Sequence, residues 1–196
     1  MKRLLFLMAL TSLPSFGSVD ANVSFASDYV WRGMTQSDGP AIQGGFDYAS
    51  DGGFYAGIWG SNVNFNDGAG NELDYYFGYG FDKDQLSIDF GYISYDYPNN
   101  KAELDFKEIY IGLMMSDLGI NFAFGQDGAP DYKELTYEIG KVEFSYGQYD
   151  DYGNNFGISY GFICGSFDCV FKYSDFSDEG YGADEEALIL TISANL

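Results

Sequence analysis

The 196-residue chain has 30 acidic against nine basic residues, a net charge of −21 at neutral pH, and no histidine. So acidic a chain will not bind nucleic acid through its phosphates. The missing histidine removes Ser-His-Asp and Cys-His catalysis together with the commonest metal ligand. High charge at modest hydropathy is a signature of disorder, but 18 Phe, 18 Tyr and two Trp argue for a folded chain.

The first element is a leader. Met1-Lys2-Arg3 is a basic start, and residues 4–16 are apolar apart from Thr11, Ser12, Pro14 and Ser15. Small residues follow at Ser15, Gly17, Ser18 and Ala21. This is the layout of a secretory signal peptide over residues 1–17, with cleavage within 17–21. Thirteen residues fall short of the roughly 20 that a spanning helix needs. Loss of Lys2 and Arg3 takes the net charge from −21 to −23. No later segment is apolar for 18 residues, so a membrane-spanning form of residues 18–196 has to use strands.

From residue 22 onward, runs of apolar residues alternating with polar residues or glycine are separated by turns, the pattern of two-faced strands. Twelve are expected, over 22–32, 41–49, 54–63, 72–81, 86–97, 106–115, 118–125, 133–139, 142–148, 155–163, 167–174 and 186–195. The connections alternate strictly between long (33–40, 64–71, 98–105, 126–132, 149–154, 175–185) and short (50–53, 82–85, 116–117, 140–141, 164–166). Even strand number with short turns at one end and longer loops at the other is the grammar of an outer-membrane barrel. The expected fold is therefore all-β, a closed antiparallel transmembrane barrel of about 12 strands in an up-and-down meander.

The two faces differ in kind. One is apolar, from Val23, Phe25, Tyr29 and Trp31 on the first strand to Leu188, Leu190 and Ile192 on the last; the 54–63 strand is apolar on both. The other carries Asp28, Asp47, Glu72, Asp74, Asp89, Glu108, Glu134, Glu138, Glu143 and Asp168, with Arg32 and Lys172 as its cations. Unpaired carboxylates are severely unfavourable in a dry core, so this face is expected to line a wet lumen. Asp28, Arg32, Asp74, Glu108, Glu138, Glu143 and Lys172 are its candidate selectivity residues. Closure of the first strand on the last would bring Arg32 to Asp184, Glu185 and Glu186, as a constriction charge or as an ion pair pinning the seam. Inward glycines either leave room or lie under aromatic neighbours. Cys164 and Cys169, five apart across a turn in an oxidising compartment, are expected to form a disulfide. The acidic loops at 64–71 and 177–180 lack the spacing of a twelve-residue calcium loop, and no cofactor, metal or catalytic residue is assigned.

Ser27-Asp28-Tyr29-Val30-Trp31-Arg32-Gly33-Met34-Thr35-Gln36 resembles the opening of the TorF-type family of exported, porin-like proteins of poorly defined function. Pro40-Ala41-Ile42-Gln43-Gly44, Gly53 to Val63 and Glu72-Leu73-Asp74-Tyr75 are similar to that family's first repeat units. The resemblance is specific over residues 22–80 and one of pattern beyond. It implies an outer-membrane barrel, with membrane lipid and the barrel-assembly machinery as partners. The chain departs from many bacterial barrels in ending at Leu196 and not at an aromatic residue.

Three function classes follow. A porin-like channel for small solutes, preferring cations, agrees with the acidic inner face. A structural or surface-interaction barrel with a side-chain-filled lumen is the alternative, because twelve strands lie between eight-stranded barrels that are filled and sixteen-stranded ones that conduct. An outer-membrane enzyme comes third, and no carboxylate pair stands out for acid–base chemistry.

Overall fold

A computed structural model describes residues 17–66, 68–98, 104–180 and 182–196. The leader before residue 17, Asp67, residues 99–103 of the 98–105 loop and Tyr181 of the 175–185 loop lie outside these. Alternation of period two is realised as β1 (Ser18–Ala26), β2 (Val30–Trp31), β3 (Met34–Thr35), β4 (Ala41–Ala49), β5 (Phe54–Asn62), β6 (Asn71–Lys83) and β7 (Leu86–Asp96). It continues through β8 (Phe106–Met115), β9 (Leu118–Gly125), β10 (Tyr132–Ile139), β11 (Val142–Tyr149), β12 (Gly153–Cys164), β13 (Phe167–Asp178) and β14 (Glu185–Asn195). Twelve of these strands form a closed antiparallel barrel in sequence order, sealed where β1 pairs with β14 (Val23 opposite Ala194, Phe25 opposite Ile192). β2 and β3 form a separate two-stranded hairpin. Both barrel ends of the chain lie at the short-turn end, since Ser18 pairs with Ala49 and Asn22 with Asn195.

The outward face is a belt of large apolar side chains, among them Phe25, Phe46, Phe77, Phe90, Ile109, Phe124, Tyr146, Phe171 and Leu188, all exposed. A continuous surface of this kind suits hydrocarbon and not water. The β5 ambiguity resolves by the same criterion. Phe54 and Ile58 are exposed, whereas Val63 is buried and Trp59 packs into the interior.

The first expected strand, 22–32, is corrected. The wall ends at Ala26, where Ser27 N–H donates to the Leu190 carbonyl and Leu190 N–H to Ser27 Oγ, and the chain then turns into the barrel. Tyr29 and Trp31 continue the spacing of Val23 and Phe25, so periodicity cannot separate a lipid-facing side chain from one buried inside. Both belong to the interior.

Inward tyrosines lie flat against the wall over glycines of the neighbouring strand. A Cβ on Gly57 would stand 2.5 Å from the Tyr76 ring, and one on Gly78 2.2 Å from the Tyr55 hydroxyl. Gly91 lies under Tyr110 and Gly147 under Tyr132 in the same way. Covering glycine with an aromatic ring restores the burial that a missing side chain forfeits in a sheet.

Cys164 and Cys169 are disulfide-bonded across the β12–β13 turn, with Cα atoms 5.9 Å apart. Intact mass without reduction should be about 2 Da below the reduced value, the two hydrogen atoms removed when the thiols are oxidised to the bridge; full alkylation of unreduced, denatured protein would contradict this. Gly78→Val should force Tyr55 off the wall and destabilise the barrel by about 1–3 kcal/mol. The check is a lower temperature for loss of the fast-migrating folded band in detergent gels.

Candidate functional site

The interior is organised by the hairpin. Val30 pairs with Thr35 and Trp31 with Met34, leaving Arg32-Gly33 as a two-residue turn with φ of +48° and +91°. Positive φ at both central residues is the I′ geometry of tight hairpins. It suits glycine, and Gly33 is also seated where a Cβ would come within 2.8 Å of Asn155 and 2.9 Å of Phe176. Arginine rarely adopts that backbone, and here its side chain is heavily anchored.

Arg32 Nη1 donates to Glu108 Oε1 at 2.6 Å and Nη2 to Oε2 at 2.8 Å, a bidentate pair. The Tyr95 hydroxyl donates to the same carboxylate at 3.2 Å. The guanidinium lies over Trp31 at 4.1 Å, Tyr132 at 4.0 Å and Tyr149 at 5.1 Å. Burial alone would lower the Arg32 pKa, but Glu108 beside it more than reverses this and holds the value above the ordinary one. Planar, delocalised charge is what suits a site that is both forked and aromatic.

The expected contact of Arg32 with Asp184, Glu185 and Glu186 is corrected. Its partner is Glu108 on the far wall. Glu185 instead accepts the Thr35 backbone N–H at 2.7 Å, so the seam holds the hairpin's main chain and not its cation. The reason is that Arg32 sits at the tip of an inward hairpin and not at the end of a wall strand.

Asp28 is the hairpin's internal brace. Its carboxylate accepts from Thr35 Oγ1 at 2.7 and 2.9 Å, from Ser37 Oγ at 3.0 Å and from Gly39 N–H at 3.4 Å. Outside the turn, Trp31 meets Tyr95, Phe106 and Tyr149 edge-on at 5.6–5.8 Å, and Tyr29 meets Trp59 at 5.4 Å. Asn64 N–H donates to the Gln36 carbonyl at 2.7 Å. The hairpin thus reaches walls from β5 round to β14 and crosses the lumen toward the long-loop end.

The remaining sequence candidates separate into two levels. Near the hairpin, Glu72, Asp74 and Glu108 are 3%, 5% and 1% exposed, so this level is not the freely wetted wall that the carboxylates led us to expect. Toward the short-turn end, Glu138 and Glu143 are cross-strand partners, and Lys172, opposite Ser159, lies within electrostatic reach of Glu143. Asp47 and Asp89 accept hydrogen bonds from Tyr76 and Tyr55, respectively. In the acidic 177–180 loop Asp178 accepts the N–H groups of Gly180 and Gly182, and Glu179 accepts from Asn154 Nδ2. Sequence reasoning missed Trp31, Tyr95, Tyr132 and Tyr149 as the cage around Arg32. Their only signal was that aromatic residues appear on both faces near the long loops.

Residues 14–147 match the family model described as "Bacterial protein of unknown function (Gcw_chp)". The chain belongs to this family. No curated protein matches it. Among solved structures, it is similar to the KdgM porin (TM-score 0.55, 11% identity, covering 91% of this chain and 98% of that one). It is likewise similar to the KdgM porin in complex with disordered oligogalacturonate (TM-score 0.55, 10% identity, 91% and 98% covered). At such identities the shared property is the barrel, and the caged arginine described above is a feature of this Gcw_chp chain's own residues.

Removing one partner of a buried ion pair costs about 3–5 kcal/mol, because the other is left charged and unpaired. Arg32→Ala and Glu108→Gln should each speed amide hydrogen exchange across residues 27–40 by about a hundredfold or more. The double variant Arg32→Met/Glu108→Leu should recover much of the protection, giving strong non-additivity. Unchanged exchange in the single variants would show that the pair does not hold the hairpin.

Proposed function

We propose that this protein is an outer-membrane channel for small solutes, exported by its amino-terminal leader, narrowed by the 27–40 hairpin and selective for cations. The carrying observation is the charge on the inner wall. Toward the short-turn end Asp47, Asp89, Glu138, Glu143 and Asp168 face inward, and Lys172 is the cation of that wall among the described residues. Rings of acidic side chains select cations by concentrating them in a lumen, and low-dielectric barrel walls focus their field. The KdgM-like fold and the TorF-type resemblance support the porin reading. Oligogalacturonate, recorded with one KdgM structure, is a polyanion, and this wall would repel it. No catalytic role is assigned to the lumen carboxylates.

Within the seven candidate residues the roles divide. Glu138, Glu143 and Lys172 set the field in the open part of the lumen. Glu108 and Arg32 cancel each other, Asp28 acts by bracing the hairpin, and Asp74 lies buried beside it. A second reading, a structural barrel with a filled lumen, is favoured by the hairpin's contacts around the wall.

The test is a reversal potential across planar bilayers under a salt gradient. Cation preference should be strong in dilute salt and fade toward molar salt, where the screening length falls to about 3 Å. Glu138→Gln/Glu143→Gln should move the reversal potential toward zero. An anion-selective wild type would refute the proposal, and absence of any conductance would favour the filled barrel.

A further inference from the structure

We infer that Glu72 and Asp74 bind a hard, oxygen-seeking metal cation beside the hairpin. The inference rests on the cation-preferring reading above and names where a cation would dwell. Four charged side chains are withdrawn from water at this level. Glu72, Asp74 and Glu108 are 3%, 5% and 1% exposed, and the Arg32 side chain is 10% exposed. Arg32 and Glu108 neutralise each other through two hydrogen bonds. Two buried carboxylates are then left with no cationic partner among the described residues.

Their oxygens show the deficit directly. The Tyr29 hydroxyl donates to Glu72 Oε1 at 3.2 Å, but Glu72 Oε2 and Asp74 Oδ1 are buried without a hydrogen-bond partner among the described residues. Glu72 and Asp74 are two residues apart on β6, so both project from the same inward face. A buried carboxylate with no counter-charge and an oxygen left without a hydrogen bond is costly for a fold to hold. A cation between the two removes that penalty.

The chemistry of the donors selects the class of cation. The donors are carboxylate oxygens, with the phenolic oxygens of Tyr29 and Tyr97 beside Glu72. The sequence contains no imidazole, and its two cysteines are bonded to each other. An all-oxygen set suits alkali and alkaline-earth ions and not soft transition metals. A divalent ion balances both charges and an alkali ion one of them, so Ca²⁺ should bind more tightly than Na⁺.

Trp59 is the cross-strand partner of Asp74 and packs on Tyr29, which makes its fluorescence a local reporter. Detergent-folded protein is titrated with CaCl₂, NaCl or KCl against tetramethylammonium chloride at matched ionic strength. The melting of the folded gel band is followed in parallel on the wild type. A saturable fluorescence change with a raised melting temperature is expected, at lower concentration for Ca²⁺. In Glu72→Gln and Asp74→Asn the half-saturating concentration should rise tenfold or more. A response that follows ionic strength alone, or that survives in the double variant, overturns the site. So does a response to acid with none to any metal salt, since a shared proton would then neutralise the pair. Neither readout needs ion flow, so a non-conducting barrel that binds Ca²⁺ would defeat the channel reading and leave this one standing.

Discussion

Backbone N–H and C=O groups have no water to bond to within hydrocarbon, so a sheet that spans a membrane must close on itself. In this protein that closure falls on the pairing of β1 with β14, where Ser24 meets Ser193 and Ala26 meets Thr191. Once the ring is shut, the alternation of side chains is forced. Every second residue goes to lipid and the rest go to a lumen whose width is set by strand number and tilt. The remaining features of the molecule are responses to having that interior.

Two of those responses differ in physical type. Flat packing of tyrosine over glycine keeps rings such as Tyr55, Tyr76 and Tyr110 against the wall, where their hydroxyls reach inward carboxylates or each other. The hairpin crosses the interior. Its tip carries a cation that must be neutralised; the wall supplies Glu108 with the rings of Tyr132 and Tyr149, and the hairpin's own Trp31 supplies a third aromatic face. Ion pairing and ring stacking both fade with misalignment, so the arrangement specifies one docked position for Arg32 where hydrophobic contact alone would tolerate several.

Charge on the inner wall therefore has two meanings. Toward the long-loop end Glu108 is structural, held by Arg32 and Tyr95 in a nearly dry environment. Toward the short-turn end like charges face one another, as Glu138 and Glu143 do across one register position. Such a pair is tolerable where water and counter-ions can screen it. The same residue types thus anchor the hairpin at one level and set a field at the other.

The sequence alone determined that twelve strands close the barrel and, outside residues 27–40, the identity of their two faces, because period two and the alternation of turn lengths are local properties of the chain. It also placed Cys164 and Cys169 within bridging distance, since five residues across a turn leave few alternatives. The route of residues 27–40 was decided only by tertiary structure. Tyr29 and Trp31 satisfy the strand period equally well facing lipid or packed inside, and the bonds that turn the chain inward join Asp28 to Thr35, Ser37 and Gly39. The partner of Arg32 was hidden for a related reason. Glu108 is 76 residues away and becomes its neighbour only when the barrel closes around the hairpin. Whether an inward carboxylate is wet or buried depends in turn on how far that hairpin reaches, and no local pattern records a distance across the lumen.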